Sequence, residues 1–191
     1  MFELRTTNTR GRGVQEFNVA KSADAQVQHD IANWENKADD YVNEFFDNEI
    51  ERIYGTQFGE NLAIISDIAE NATAEPKTFR GVRDRAGRLQ AAAIIYQRSN
   101  YLEVDLIATA PWNILPNQPE SIKGAGTALM ENLVKESVDL GFGGRLKLYA
   151  IPHAKQFYEK IGLEETDEGD WELTPQAAER FLERQERRRR K

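Results

Sequence analysis

The chain has 191 residues, 40% of them apolar and 30% charged, with a net charge of −7. This suits one soluble globular domain, residues 1–191, with a real core. There is no cysteine and there are only two histidines, His29 and His153, which excludes disulfides, a thiol nucleophile, thiolate metal sites and a His-rich metal centre.

No apolar run approaches the roughly 18 residues of a membrane span. The first residues, MFELRTTNTRGRG, lack the apolar stretch of a secretory signal, so a cytoplasmic protein with no membrane partner is expected. Either FELRTT or VQEFNVAK is expected as the first strand. Ser22 reads as the N-cap of a long helix running to about Tyr54. Ile31, Trp34, Ala38, Tyr41, Val42, Phe45, Phe46, Ile50 and Ile53 recur along it at three- and four-residue steps, one apolar stripe. Gly55 ends it, and a second helix covers about 60 to 72. This acidic segment, 22–75, carries thirteen carboxylates against Lys37 and Arg52, a net of −11, so the rest of the chain carries +4. Such a field attracts cations and repels phosphate backbones, so no nucleic-acid partner is expected. The plainer reading is a solvated helix face. The sharper one is an acidic lip that recruits a basic amine or peptide.

After Pro76 the hydrophobic period changes from helical to alternating. KTFRGVRD, LQAAAIIYQR and YLEVDLIATA read as three strands of an antiparallel meander, with RAG and SN at the turns. APWNILPNQPES is a Pro-rich loop. A helix follows from Gly124 and stops at Gly141. GRLKLYAI is a further strand, HAKQFYEKIG a short helix with a glycine stop, and LEETDEGDWELTP a closing hairpin around Gly169. The tail QAAERFLERQERRRRK reads as a helix fraying into a basic end over 184–191. No internal repeat or linker interrupts the chain.

The segment SIKGAGTALM poses a physical question. A glycine in the first turn of a helix costs roughly 1 kcal/mol against alanine, yet two stand here, at Gly124 and Gly126. A dinucleotide fingerprint would need a third glycine, where Leu129 stands, and a βαβ setting. The P-loop pattern is absent. Two readings remain: close packing of helix on sheet, or a turn of bare amides at a helix N-terminus that holds a pyrophosphate.

SIKGAGTALM resembles the phosphate-binding motif of the GNAT acyltransferase superfamily, Q/R-x-x-G-x-G/A followed by a helix. AKQFYEKIGL, some thirty residues on, resembles the second motif of that superfamily. The resemblance covers about 77 to 175, and the N-terminal third matches in the order of its elements. It implies an α/β fold with a mixed, mostly antiparallel sheet flanked by helices and splayed between its central fourth and fifth strands. It implies acetyl-CoA or another acyl-CoA as co-substrate, without a metal. Lys123, Gly124, Ala125, Gly126 and Thr127 would hold the pyrophosphate, and the backbone of Ile107, Ala108 and Thr109 would pair with the pantetheine arm. The sequence departs from the family pattern at Ser121, which replaces the Q/R, at Ile151, which replaces an Asn, and in a loop longer by seven residues before the phosphate turn.

Acyl transfer to an amine needs a base for the amine, a donor for the oxyanion and a proton for the leaving thiolate. The motif tyrosine is Tyr158, which the resemblance makes the acid. By period two, Glu103, Asp105, Ile107 and Thr109 share one strand face. Glu103 is the first candidate base and Asp105 the second, against the reading that both merely line a wet groove. His153 is a weaker candidate, and Trp112 is a candidate wall of the acceptor or acyl pocket. The expected function is transfer of acetyl from acetyl-CoA to a primary amine of a cationic small molecule, peptide or protein. The alternatives are a longer acyl donor and a GNAT-like binding or assembly module without turnover. Acylation of charged tRNA is disfavoured by the acidic segment.

Overall fold

The structure, a computed structural model, describes residues 3–7 and 14–190. Eight strands form one sheet in the order β1-β2-β3-β4-β5-β6-β8-β7. They are β1 (Glu3–Thr7), β2 (Val14–Ala20), β3 (Phe79–Arg83), β4 (Leu89–Gln97), β5 (Leu102–Thr109), β6 (Leu146–Leu148), β7 (Glu164–Glu165) and β8 (Trp171–Leu173). The two candidate first strands are both strands, paired as a hairpin from Glu3↔Asn18 to Thr7↔Val14. The fourth and fifth strands of the sequence reading are therefore β5 and β6. Every pairing is antiparallel except β5 with β6.

Two helical layers cover the sheet. Helices α1 (Ala25–Phe46) and α2 (Gln57–Ala74) bury Val27, Ile31, Trp34, Tyr41, Ile65 and Ile68 against one face. Helices α3 (Ala125–Asp139) and α5 (Pro175–Arg189) bury Leu129, Leu133 and Phe181 against the other. A short helix, α4 (Lys155–Ile161), follows β6. The central strand β4 is buried on both faces from Leu89 through Ile95, which accounts for its three consecutive alanines. No helix among the described residues is long and apolar enough to cross a membrane.

Helix α1 differs from expectation at both ends. Its N-cap is Asp24, which accepts the Val27 N–H at 2.8 Å, and not Ser22. It stops at Phe46 because Asp47 and Asn48 adopt left-handed φ of 54° and 58°, and the Asn48 N–H closes back on the Val42 carbonyl. Asn and Asp tolerate that conformation best among residues with a Cβ. The basic tail is helical through Arg189, which bonds the fully buried Glu131 of α3 at 2.6 Å.

The feature that makes a site is the split between β5 and β6. They pair over only three residues, Leu102↔Leu146 through Val104↔Leu148. Strand β5 then runs on to Thr109 beside β4 alone. β6 is shorter than the stretch GRLKLYAI suggested, and from Tyr149 the chain turns away.

Candidate active site

A cleft of about 640 Å³ opens where β6 ends and β5 continues. The second half of β5 forms its floor. The first turn of α3 forms one wall, α4 with its preceding turn the other, and the start of α2 reaches over it.

The glycines of the α3 turn have separate physical reasons. Gly124 caps the helix at φ 94°, a left-handed conformation that residues with a Cβ rarely adopt. Gly126 allows close approach, since a Cβ there would lie 3.3 Å from Phe157 Cζ and 3.7 Å from Thr109 Cγ2. The N–H groups of Lys123 through Thr127 donate to nothing among the described residues. Five consecutive unbonded amides and the positive end of a helix thus lie at one end of the cleft, and Lys123 lines it as well. This is an anion-binding arrangement.

A buried polar network fixes the entry to that turn. Gln90 is the extra residue of a β-bulge on β4 opposite Val82 and Arg83, and it is fully buried. Its amide donates to Asp84 at 2.9 Å, and its carbonyl oxygen accepts from Trp112 Nε1 and Asn113 Nδ2 at 3.0 Å each. Asn113 in turn accepts the Ile122 N–H at 2.8 Å, one residue before Lys123. Trp112 is therefore packing, edge-on to Trp34 at 6.5 Å. It does not line the cleft. The lengthened loop presents Asn113, Ile114, Ser121 and Ile122 there.

A second bulge corrects the expected strand face. Ile94 pairs with Leu106 and Ile95 with Val104, so Asp105 is the extra residue and the alternation flips across it. Leu102, Val104 and Ile107 join the core on the α3 side, whereas Leu106 and Ala108 join the α1–α2 side. Glu103 does not share a face with Ile107 and Thr109. It is ion-paired with Arg98 and does not line the cleft. Asp105 does line it. Desolvation raises the Asp105 carboxyl above its ordinary range, helped by the Glu103 and Asp67 carboxylates and opposed by Arg98.

The same ladder decides which peptide groups face the cleft. The Ala110 N–H bonds the Gln90 carbonyl at 3.0 Å. By antiparallel alternation, Ala108 then bonds across to β4, while Ile107 and Thr109 turn their N–H and C=O the other way, towards the split. Thr109 is already engaged there. Its carbonyl accepts from Asn61 Nδ2 at 2.9 Å, and its N–H donates to Asn61 Oδ1 at 3.3 Å. Of the expected trio Ile107, Ala108 and Thr109, Ile107 presents its peptide groups to the cleft without such a partner.

Tyr158 is 4% exposed and lines the cleft, wedged between Phe157 and Trp171. Burial alone pushes its phenol well above the ordinary value. Its hydroxyl has no hydrogen-bond partner among the described residues. His153 also lines the cleft, and its Nδ1 donates to Glu60 Oε2 of α2 at 2.8 Å. Ser121 and Ile151, the departures from the motif pattern, are lining residues too. The sequence reading missed Asn61 and Tyr149. Tyr149 is 74% exposed at the cleft mouth, just past the end of β6. Among the described residues no group of three or more His, Asp or Glu is placed to hold a metal ion.

No protein-family model matches the sequence, and no curated protein sequence matches it. Solved structures do match. The catalytic domain of the Tetrahymena GCN5 histone acetyltransferase, in complex with coenzyme A, aligns at 12% identity over 86% of this chain and 95% of that one, with a TM-score of 0.51. A provisionally assigned acetyltransferase from Exiguobacterium sp. 255-15 aligns at 14% identity over 84% and 95%, with a TM-score of 0.53. A GNAT-family acetyltransferase from Listeria monocytogenes aligns at 15% identity over 88% and 96%, with a TM-score of 0.48. The chain has the fold of the GNAT acetyltransferases.

Proposed function

We propose that the protein is an acyl-CoA-dependent N-acyltransferase that acetylates a primary amine of a cationic acceptor. One observation carries this reading: a single cleft joins five bare amides at a helix N-terminus to an unpartnered buried phenol, along a strand edge that is open at Ile107. The amides of Lys123 to Thr127 suit a pyrophosphate. The edge at Ile107 suits the amides of a pantetheine arm. The fold shared with a coenzyme A-bound acetyltransferase supports the same donor.

In the reaction the amine nitrogen attacks the thioester carbonyl and the C–S bond breaks. Tyr158, protonated at any physiological pH because burial raises its phenol, gives its proton to the departing sulfur and regains one from solvent. Asp105 takes the proton of the amine, directly or through water. Its raised pKa makes it a better base than an ordinary carboxylate. Glu103, the first candidate from the sequence, is committed to Arg98 and stands behind Asp105, where its charge raises the basicity of that neighbour. Asp105, Asp67 and Glu60 give the acceptor side a negative field that favours a cationic amine.

A longer acyl chain on the same thioester is the second reading. Ile114 and Ile122, from the lengthened loop, line the cleft and offer it apolar surface. Calorimetric titration with CoA, acetyl-CoA and longer acyl-CoAs distinguishes the two. Affinity that is best for acetyl-CoA supports the first, and affinity rising with chain length the second. Absence of binding by every member overturns the acyltransferase reading. Tyr158→Phe is expected to lower turnover by roughly a hundredfold with little change in CoA affinity. A loss under threefold would refute the role of Tyr158 as acid.

A further inference from the structure

Thr109 is the last residue of β5 and the second of the two residues whose peptide groups face the split. A neighbouring strand would satisfy its N–H and C=O with two hydrogen bonds. Here one carboxamide does so. Asn61 Nδ2 donates to the carbonyl at 2.9 Å, and Oδ1 accepts the N–H at 3.3 Å, just beyond the usual range. Asn61 is 6% exposed and lines the cleft beside Ile107. Its neighbour Glu60 holds His153 on the opposite wall. Two consecutive residues of α2 therefore fasten both sides of the split.

A pantetheine arm is an extended chain with two amides, each with one donor and one acceptor. Pairing with a strand edge is its natural mode of binding here. Beyond the free groups of Ile107, the next pair on β5 that such an arm would take is the pair on Thr109 that Asn61 now occupies, and the chemistry is identical, amide against amide. We propose that Asn61 is an internal competitor for the pantetheine arm: its carboxamide substitutes for the arm in the empty cleft and leaves Thr109 when acyl-CoA binds. The proposal rests on the acyl-CoA reading of the cleft. The competition has two consequences. Thr109 is never bare, so a stray peptide does not pair with it. The arm also contributes less to affinity than its contacts would suggest, because each bond it makes to Thr109 replaces one already there. The weaker N–H bond at 3.3 Å is the one an entering carbonyl takes first.

The test separates the arm from the nucleotide. Wild type, Asn61→Ala and Asn61→Asp are titrated with CoA and with adenosine 3′,5′-bisphosphate, which lacks the arm. The bisphosphate is expected to bind all three within about twofold. CoA is expected to bind Asn61→Ala about fivefold tighter than wild type, the size of one net hydrogen bond. Asn61→Asp still accepts from the Thr109 N–H and no longer donates to its carbonyl, so it should fall between. Unchanged or weaker CoA binding by Asn61→Ala, with bisphosphate binding intact, overturns the competition and leaves the acyl-CoA reading standing. Loss of both ligands from all three proteins overturns the acyl-CoA reading, and this proposal with it. A readout in the unmutated protein guards against a variant that fails to fold. The side-chain NH₂ resonances of Asn61 should shift to solvent-exposed values on saturation with CoA and not with the bisphosphate. Resonances that stay in place refute the displacement.

Discussion

Replacing Gln90 with methionine should cost about 2–5 kcal/mol of stability and weaken nucleotide binding at a turn that Gln90 does not touch. The side chain is fully buried and makes three side-chain hydrogen bonds. Methionine keeps the length and removes the polar atoms. Asp84 keeps Arg88 as a donor at 2.9 Å, and Asn113 keeps its bond to the Gln90 backbone carbonyl at 3.2 Å. The Trp112 indole N–H is left with no acceptor. An orphaned buried donor costs about 1–3 kcal/mol, and each of the two weakened partners adds roughly 0.5–1. Denaturant unfolding reads the sum directly. At roughly 2–4 °C per kcal/mol for a chain of this size, the melting temperature should drop by about 4–20 °C. The binding effect arises because Asn113 holds the Ile122 amide at 2.8 Å. A looser Asn113 lets the turn that follows drift, and CoA and adenosine 3′,5′-bisphosphate should lose affinity alike. Trp112→Phe, which deletes the stranded donor, should recover part of the stability in the double mutant. A Gln90→Met protein within 0.5 kcal/mol of wild type, with unaltered nucleotide affinity, would refute the account of this network.

Gly124→Ala places a Cβ at φ 94°, at a cost of about 1–2 kcal/mol, and should weaken CoA binding in step. An unchanged melt and titration would show that the turn tolerates a side chain. Asp105→Asn should remove the limb of the rate profile in which wild-type turnover rises with pH through the raised carboxyl pKa; persistence of that limb would point to another base. Asp170 is held below the ordinary carboxylate range by bonds from the Thr166 hydroxyl and the Lys147 ammonium. A depressed pKa contributes stability that is full above the unfolded value, about 3.9, and lost as pH falls through the folded one. Asp170→Asn should therefore flatten the loss of stability below about pH 4, measured by urea unfolding across that range. Arg189→Ala leaves the fully buried Glu131 with Lys135, at 2.7 Å, as its one remaining cation among the described residues, and should cost about 2 kcal/mol, read as a lower melting temperature.

Features set by near neighbours in the chain were legible in the sequence. The glycine turn, the tyrosine of α4 and the meander all rest on spacings of a few residues, and the structure brings the turn and the tyrosine to one cleft. Features set by pairing were not. Alternation along YLEVDLIATA puts Glu103 with Thr109, and only the register against β4 reveals the bulge at Asp105 that separates them. The end of α1 was hidden because the apolar stripe continues into the 3₁₀ turn Ile50–Ile53, past the left-handed pair Asp47–Asn48. Asn61 gave no signal, since a polar residue in an amphipathic helix is unremarkable and its partner lies 48 residues away. Trp112 was ambiguous until Gln90 and Trp34 were seen to claim it.

The two faces of the sheet also differ in when they can be built. Every residue of the core under α1 and α2 lies between Ala20 and Leu115. The opposite core draws on Phe17 at one end and Leu182 at the other. During synthesis the first layer is therefore complete in sequence before the phosphate turn at Gly124 has been made. The α3 face of β3, β4 and β5 must then wait for the rest of the chain. At up to twenty residues per second, the wait from Leu115 to Leu182 lasts on the order of several seconds. Throughout it the nascent protein exposes the apolar side chains of Val82, Ala91, Ala93 and Ile95, a sheet face that the last helices later cover.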